Sequence, residues 1–157
     1  MEKRNKISVQ CELFEYSLQE LNLEEQKLVH MAQEASETAF APYSKFKVGA
    51  AALLESGETV IGSNQENAAY PSGLCAERVA LFACGAQHHG TTIKSLAVYT
   101  PSFTRDEVPM PCGSCRQVMQ QSEYHQGAPI RILLIVSDTR IYIADSAEVL
   151  LPFPFKF

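Results

Sequence analysis

Nowhere in the sequence does an apolar run approach the ~18 residues needed to cross a bilayer, so no membrane partner is expected. The opening residues, Met1 to Lys6, are charged, but Ser8, Gln10, Glu12 and Glu15 stand where a secretory leader would need an apolar block, and a cytoplasmic location is expected. Basic runs are equally scarce. Nothing exceeds the short Lys3-Arg4 and Lys6 group, and the formal net charge is −5. An electrostatic grip on a phosphate backbone has no source here, which argues against a nucleic acid polymer as partner. Glycine and proline number only 8 each, and with 46% hydrophobic and 20% charged residues the composition falls outside the disordered, collagen-like and low-complexity classes. Five cysteines (Cys11, Cys75, Cys84, Cys112, Cys115) are an odd number in a chain large enough to fold without staples. That argues against a disulfide framework and towards metal or catalytic use.

Residues 1–21 carry apolar side chains without a sustained period and are expected to form an N-terminal arm, with the folded domain over 22–157. Asn22 followed three residues later by Glu25 reads as a helix cap with a capping-box partner. Leu28, Met31, Ala32, Ala35 and Ala39 then mark one helical face until Ala41-Pro42 stops the run. Alternation from Phe46 to Leu54, the turn Glu55 to Glu58 and the segment Thr59 to Gly62 predict a hairpin. A polar loop precedes a helix from about Cys75 to Gln87, and Ile93 to Thr100 reads as a strand. A short helix is expected from Gly113 to about Gln121. Ile130 to Val136 and Arg140 to Ala144 read as strands whose three-residue link permits only an antiparallel pair. A last helical turn is expected near Ala147 to Leu150. The order αββαβαββ implies a three-layer α/β/α sandwich around a mixed five-stranded sheet.

Pro111-Cys112-Gly113-Ser114-Cys115 places two thiols at i and i+3 where a helix begins, so both can converge on one ion. A CxxC beside a βα unit can equally be a redox pair. Cys75-Ala76-Glu77 shifts the balance, because it offers a third thiolate and a carboxylate at another expected helix start. Structural zinc sites are closed by four protein ligands, whereas catalytic ones keep three and leave a position for water; the count here is three. Cys84 reads as a small buried apolar residue. Zinc with three thiolates is net negative, so compensation is needed. Two helix N-termini supply part of it, and Arg78 can direct donors at thiolate sulfur. Glu77 is free to act as acid and base towards a metal-activated water and the substrate.

Cys75-Ala76-Glu77-Arg78 followed by Pro111-Cys112-Gly113-Ser114-Cys115-Arg116-Gln117 resembles the zinc nucleoside deaminases, most closely the cytidine deaminases of the small homotetrameric type. The likeness extends through Ala41-Pro42-Tyr43-Ser44-Lys45-Phe46, Val48 to Ala51, Asn64 to Tyr70 and Leu150-Leu151-Pro152, covering about residues 24–155. The resemblance implies hydrolytic deamination of cytidine and 2′-deoxycytidine, one Zn²⁺ per chain on Cys75, Cys112 and Cys115, and Glu77 as the proton shuttle. It also implies a ribose clamp from Asn64 and Glu66, Phe46 lining the pyrimidine pocket, and Phe155 lent by a neighbouring subunit of a homotetramer. The sequence departs from the family in its longer arm, in the longer loop Pro101 to Met110, and in a tail where Phe153 and Phe155 compete for one role. Another aminopyrimidine such as blasticidin S would share every zinc residue, and a catalytically silent zinc-binding or redox protein would share Cys112 and Cys115. The short Ser137-Asp138-Thr139 link argues against a polynucleotide-editing relative, in which a helix is expected there.

Overall fold

A computed structural model describes residues 5–103 and 108–156, so residues 104–107 of the loop Pro101 to Met110, residues 1–4, and Phe157 of the tail lie outside the described residues. Helix α1 spans Leu23–Glu37. Its cap forms as the sequence requires: Asn22 Oδ1 accepts from the Glu25 N–H at 2.9 Å, and Glu25 Oε2 accepts from the Asn22 N–H at 3.4 Å. The helix ends four residues before Ala41-Pro42. The Thr38 hydroxyl donates to the Ala35 carbonyl at 2.8 Å and takes an acceptor the next turn would have used.

Strand β2 (Gly49–Leu54) pairs with β3 (Thr59–Ser63) as the expected hairpin, followed by α2 (Ala76–Gln87) and β4 (Ile93–Tyr99). Helix α3 (Gly113–Gln126) runs five residues beyond its expected end and stops only at Gly127, whose φ of 67° suits glycine. Strands β5 (Arg131–Ser137) and β6 (Arg140–Ala144) form the expected antiparallel pair, and a 3₁₀ turn follows over Ala147–Leu150.

The sheet has six strands rather than the five expected. The sixth, Phe14–Tyr16, is β1 in chain order; it comes from the residues expected to form the arm and pairs antiparallel with β6 at the sheet edge. Three residues are too few to show a period of two, and β1 exists because β6 offers an unpaired edge. The strand order is β1-β6-β5-β4-β2-β3, with β4 and β5 parallel and every other pair antiparallel. Ala51, Leu53, Leu133, Ile135 and Ile143 face α1 with its Leu28, Val29 and Ala32. Ala50, Ala52, Leu96, Val98 and Leu134 face Ala80 and Leu81 of α2 and Met119 of α3. These are the three layers. Among the described residues no helix is long and apolar enough to cross a membrane.

Two glycines set how closely the helices lie. A Cβ on Gly49 would stand 2.0 Å from the Ala32 carbonyl oxygen of α1. One on Gly62 would stand 2.5 Å from the Ala76 carbonyl oxygen and 2.6 Å from the Ala80 nitrogen, so β3 carries the first turn of α2 directly on its backbone.

Candidate active site

Both thiol motifs sit at helix starts, on the face of the sheet that carries α2 and α3. The segment leading to Cys75 is fixed by two reciprocal backbone bonds between Gln65 and Leu74, at 2.9 and 3.0 Å. Cys75 is the N-cap of α2 and Cys112 the N-cap of α3, where Cys112 Sγ accepts from the Cys115 N–H at 3.4 Å. Cys115, one turn into α3, is fully buried. The three sulfurs lie within 4.8 Å of one another, with Cys112 and Cys115 3.3 Å apart. Tetrahedral zinc with bonds of about 2.3 Å needs sulfurs about 3.8 Å apart, so small side-chain adjustments suffice. Three thiols facing two helix N-termini form a soft, anion-stabilising donor set that fits zinc.

The charges around this cluster are graded. A hydrogen bond from Cys115, helped by the Arg78 guanidinium, pulls the Cys75 thiol down to about 5. Cys115, donating that bond and buried, is pushed up. Arg78 Nη2 lies 3.8 Å from Cys75 Sγ, and its buried Nε has no hydrogen-bond partner among the described residues. Glu77 is only 4% exposed, and burial, with the Cys75 thiolate adding to it, pushes its carboxyl up to about 6. A carboxyl poised there takes and returns a proton near neutral pH at little cost. Cys84 is buried in α2, which pushes its thiol up to about 11, and Cys11 is exposed; neither joins the cluster.

Beside the sulfurs opens a cleft of about 730 Å³, lined by Cys75, Glu77, Arg78 and Cys112 and by Phe46, Asn64 and Glu66. Phe46 is 38% exposed and meets Phe103 edge to face, with ring centroids 6.0 Å apart. Asn64 is buried, its Oδ1 accepting from the Val48 N–H and its Nδ2 donating to the Phe46 carbonyl, both at 2.8 Å. Its amide therefore stands in for a strand neighbour over 46–48, which explains why β2 begins at Gly49 rather than at Phe46. The Glu66 carboxylate accepts from the Tyr43 and Ser44 N–H groups at 2.9 and 3.3 Å and from the Ser44 hydroxyl, and this last bond above all holds its pKa below the usual carboxylate range. Phe155 is 71% exposed and is not among the residues lining the cleft of its own chain. Sequence reasoning missed Phe103, Tyr43 and Tyr70 as cleft residues. Tyr43 and Tyr70 form a rim pair with centroids 6.0 Å apart; both lie in the motifs that carry the resemblance, in the polar loops flanking the hairpin, but their residue types alone assigned them no role.

Residues 23–127 match the family model described as the cytidine and deoxycytidylate deaminase zinc-binding region. A cytidine deaminase of Halalkalibacterium halodurans is 37% identical over 123 residues, which cover 78% of this chain and 81% of the relative. One from Sporosarcina psychrophila is 45% identical over 98 residues, or 61% and 68% of the two chains. The crystal structure of cytidine deaminase from Burkholderia pseudomallei matches with a TM-score of 0.71 at 37% identity, covering 82% of this chain and 97% of that one. The Mycobacterium tuberculosis enzyme gives 0.66 at 33%, covering 87% and 100%. The three clustered cysteines, Glu77 and Arg78 all fall inside the span of the family model, and the chain belongs to the cytidine and deoxycytidylate deaminase family.

Proposed function

We propose that the protein converts cytidine and 2′-deoxycytidine to uridine and 2′-deoxyuridine by hydrolysis, releasing ammonia. The observation that carries this reading is the buried Glu77 carboxyl beside three converging thiols that border a cleft large enough for a nucleoside. The names of the relatives support the substrate. Cys75, Cys112 and Cys115 would hold a zinc ion, which when bound would supply the Lewis acidity that makes a water nucleophilic near neutral pH. Glu77 accepts a proton from the attacking water as its oxygen adds to C4, and passes the proton to N3. It then carries the remaining hydroxyl proton from the C4 substituent to the exocyclic amine, so that ammonia leaves as the C4 carbonyl forms. Arg78, 3.8 Å from Cys75 Sγ, offsets the thiolate charge, which would otherwise oppose ionisation of a metal-bound water.

The ribose role of Glu66 rests on capacity. Its Oε2 faces two N–H donors, whereas Oε1 takes one hydroxyl and keeps an acceptor position for a sugar hydroxyl. Asn64 acts with it by holding the backbone of Phe46, the aromatic proposed to face the pyrimidine. The exposed Phe155 supports an assembly in which the tail of one subunit completes the cleft of another; the family resemblance suggests a homotetramer, and the charged opening of the sequence suggests the cytoplasm as its location. The test combines elemental analysis with an ultraviolet assay on cytidine, deoxycytidine, cytosine and blasticidin S. About one zinc per chain and turnover of the two nucleosides are expected. Zinc-loaded protein inert towards all four would reduce the chain to a metal-binding protein, and turnover of blasticidin S alone would move it to another aminopyrimidine.

A further inference from the structure

The C-terminal tail is fastened to α3, and two of the fasteners follow directly on Cys115. Arg116 Nη1 donates to the Leu150 carbonyl at 3.0 Å. The Gln117 amide donates through Nε2 to the Phe155 carbonyl at 2.9 Å and accepts through Oε1 from the Phe155 N–H at 3.1 Å. One residue further, Lys156 pairs with Glu148 at 3.1 Å and stands 5.8 Å from the centre of the Tyr124 ring of α3. Between the two fasteners the chain turns through Phe153 at φ 52°, a left-handed conformation that a phenylalanine keeps only when its surroundings hold it.

The tail beyond Leu150 belongs to no helix or strand, yet both backbone polar groups of Phe155 are satisfied by one side chain. Phe153 is equally exposed and makes no hydrogen bond among the described residues. Fixing the backbone of a surface aromatic gives its own chain little, since the ring itself stays in solvent. It does give a partner a ring with its direction already set. We propose that Gln117 is a positioning residue for substrate binding, its amide setting the backbone of Phe155 so that this ring, rather than that of Phe153, enters the cleft of an adjacent subunit. The inference rests on the reading above that the tail completes a neighbour's site. A primary amide suits the role because it presents a donor and an acceptor on one flat group; glutamate keeps the acceptor alone, and leucine keeps neither.

The test compares wild type, Gln117→Leu, Phe155→Ala and the double variant as zinc-loaded full-length proteins, measuring KM and kcat for cytidine, zinc per chain and sedimentation. Gln117→Leu should raise KM roughly 5- to 30-fold, but no further than Phe155→Ala does, with zinc content, kcat and subunit number held within about twofold. Because Gln117 acts through Phe155, the double variant should match Phe155→Ala alone instead of multiplying the two losses. Gln117→Glu should fall between wild type and Gln117→Leu, and it carries the same comparison should the leucine variant not fold. An unchanged KM in both Gln117 variants beside a raised KM in Phe155→Ala overturns this inference and leaves the shared site intact, as does a double variant whose losses multiply. An unchanged KM in Phe155→Ala overturns the shared site and the role of Gln117 together.

Discussion

Glu77 shows how far a single position can be tuned. Its carboxyl is buried beside a thiolate, so both effects favour the protonated form, while its own backbone N–H at the start of α2, the Cys115 thiol and the adjacent Arg78 restrain the shift. Glu77→Gln is nearly isosteric and should leave zinc content and melting temperature close to wild type while lowering kcat roughly 10²- to 10⁴-fold. A rate near wild type would exclude Glu77 as the proton carrier. The same contrast of environments separates the cysteines. In metal-free protein at about pH 7, Cys75 is a thiolate because Cys115 and Arg78 stabilise its charge, whereas burial keeps Cys84 a thiol. Mild alkylation followed by mass spectrometry should label Cys75 quickly and Cys84 hardly at all, and zinc should abolish the labelling of Cys75. Equal labelling of the two would mean that the electrostatics around Cys75 differ from those described.

At the scale of elements, the site is two helix starts seated on a sheet, and Gly62 sets the seat of one of them. Alanine there forces backbone against backbone, so α2 must lift, at a cost of roughly 1–3 kcal/mol and a few degrees in Tm. Gly49→Ala should cost a similar amount, because its Cβ would meet α1. The two variants should part in activity: Gly62→Ala moves the turn that carries Cys75 and Glu77 and should lower kcat and zinc affinity, while Gly49→Ala should spare both. Equal kinetic damage in the two would show that global loosening, and not the seat of α2, governs the site. The elements that sequence exposed were those with a period or a cap of their own: α1 through Asn22 and Glu25, the hairpin through alternation, and the helix starts through the thiol motifs. What it concealed was settled by partners distant in the chain. β1 forms because β6 has a free edge, and β2 starts late because Asn64 occupies the backbone at 46–48. The clustering of Cys75, Cys112 and Cys115 beside Glu77 was legible because metal and proton-transfer chemistry needs fixed local spacing. The cleft position of Phe103 was not, since its contact with Phe46 joins loops that nothing in the spacing relates.

At the scale of the whole molecule, the proposed sharing of Phe155 between subunits can be tested directly. The cleft of one chain holds Phe46 and Phe103 together with the rim pair Tyr43 and Tyr70, while Phe155 lies exposed and outside that cleft. In the proposed assembly, Phe155 would enter a neighbour's cleft and an exposed aromatic would be covered in the same step. The consequence is complementation between two defective chains. A Phe155→Ala chain keeps its own Glu77 and lacks only a ring to lend; a Glu77→Gln chain has a dead site and an intact tail. Each alone should be weak or silent at cytidine concentrations well below KM. When the two are co-expressed in equal amounts and assemble at random, about one site in four unites an intact glutamate with an intact neighbouring tail, and activity should rise accordingly. Activity in the mixture no greater than the average of the two parents would show that each chain completes its own site. A fully active monomer in sedimentation would exclude the shared site and the tetramer at once.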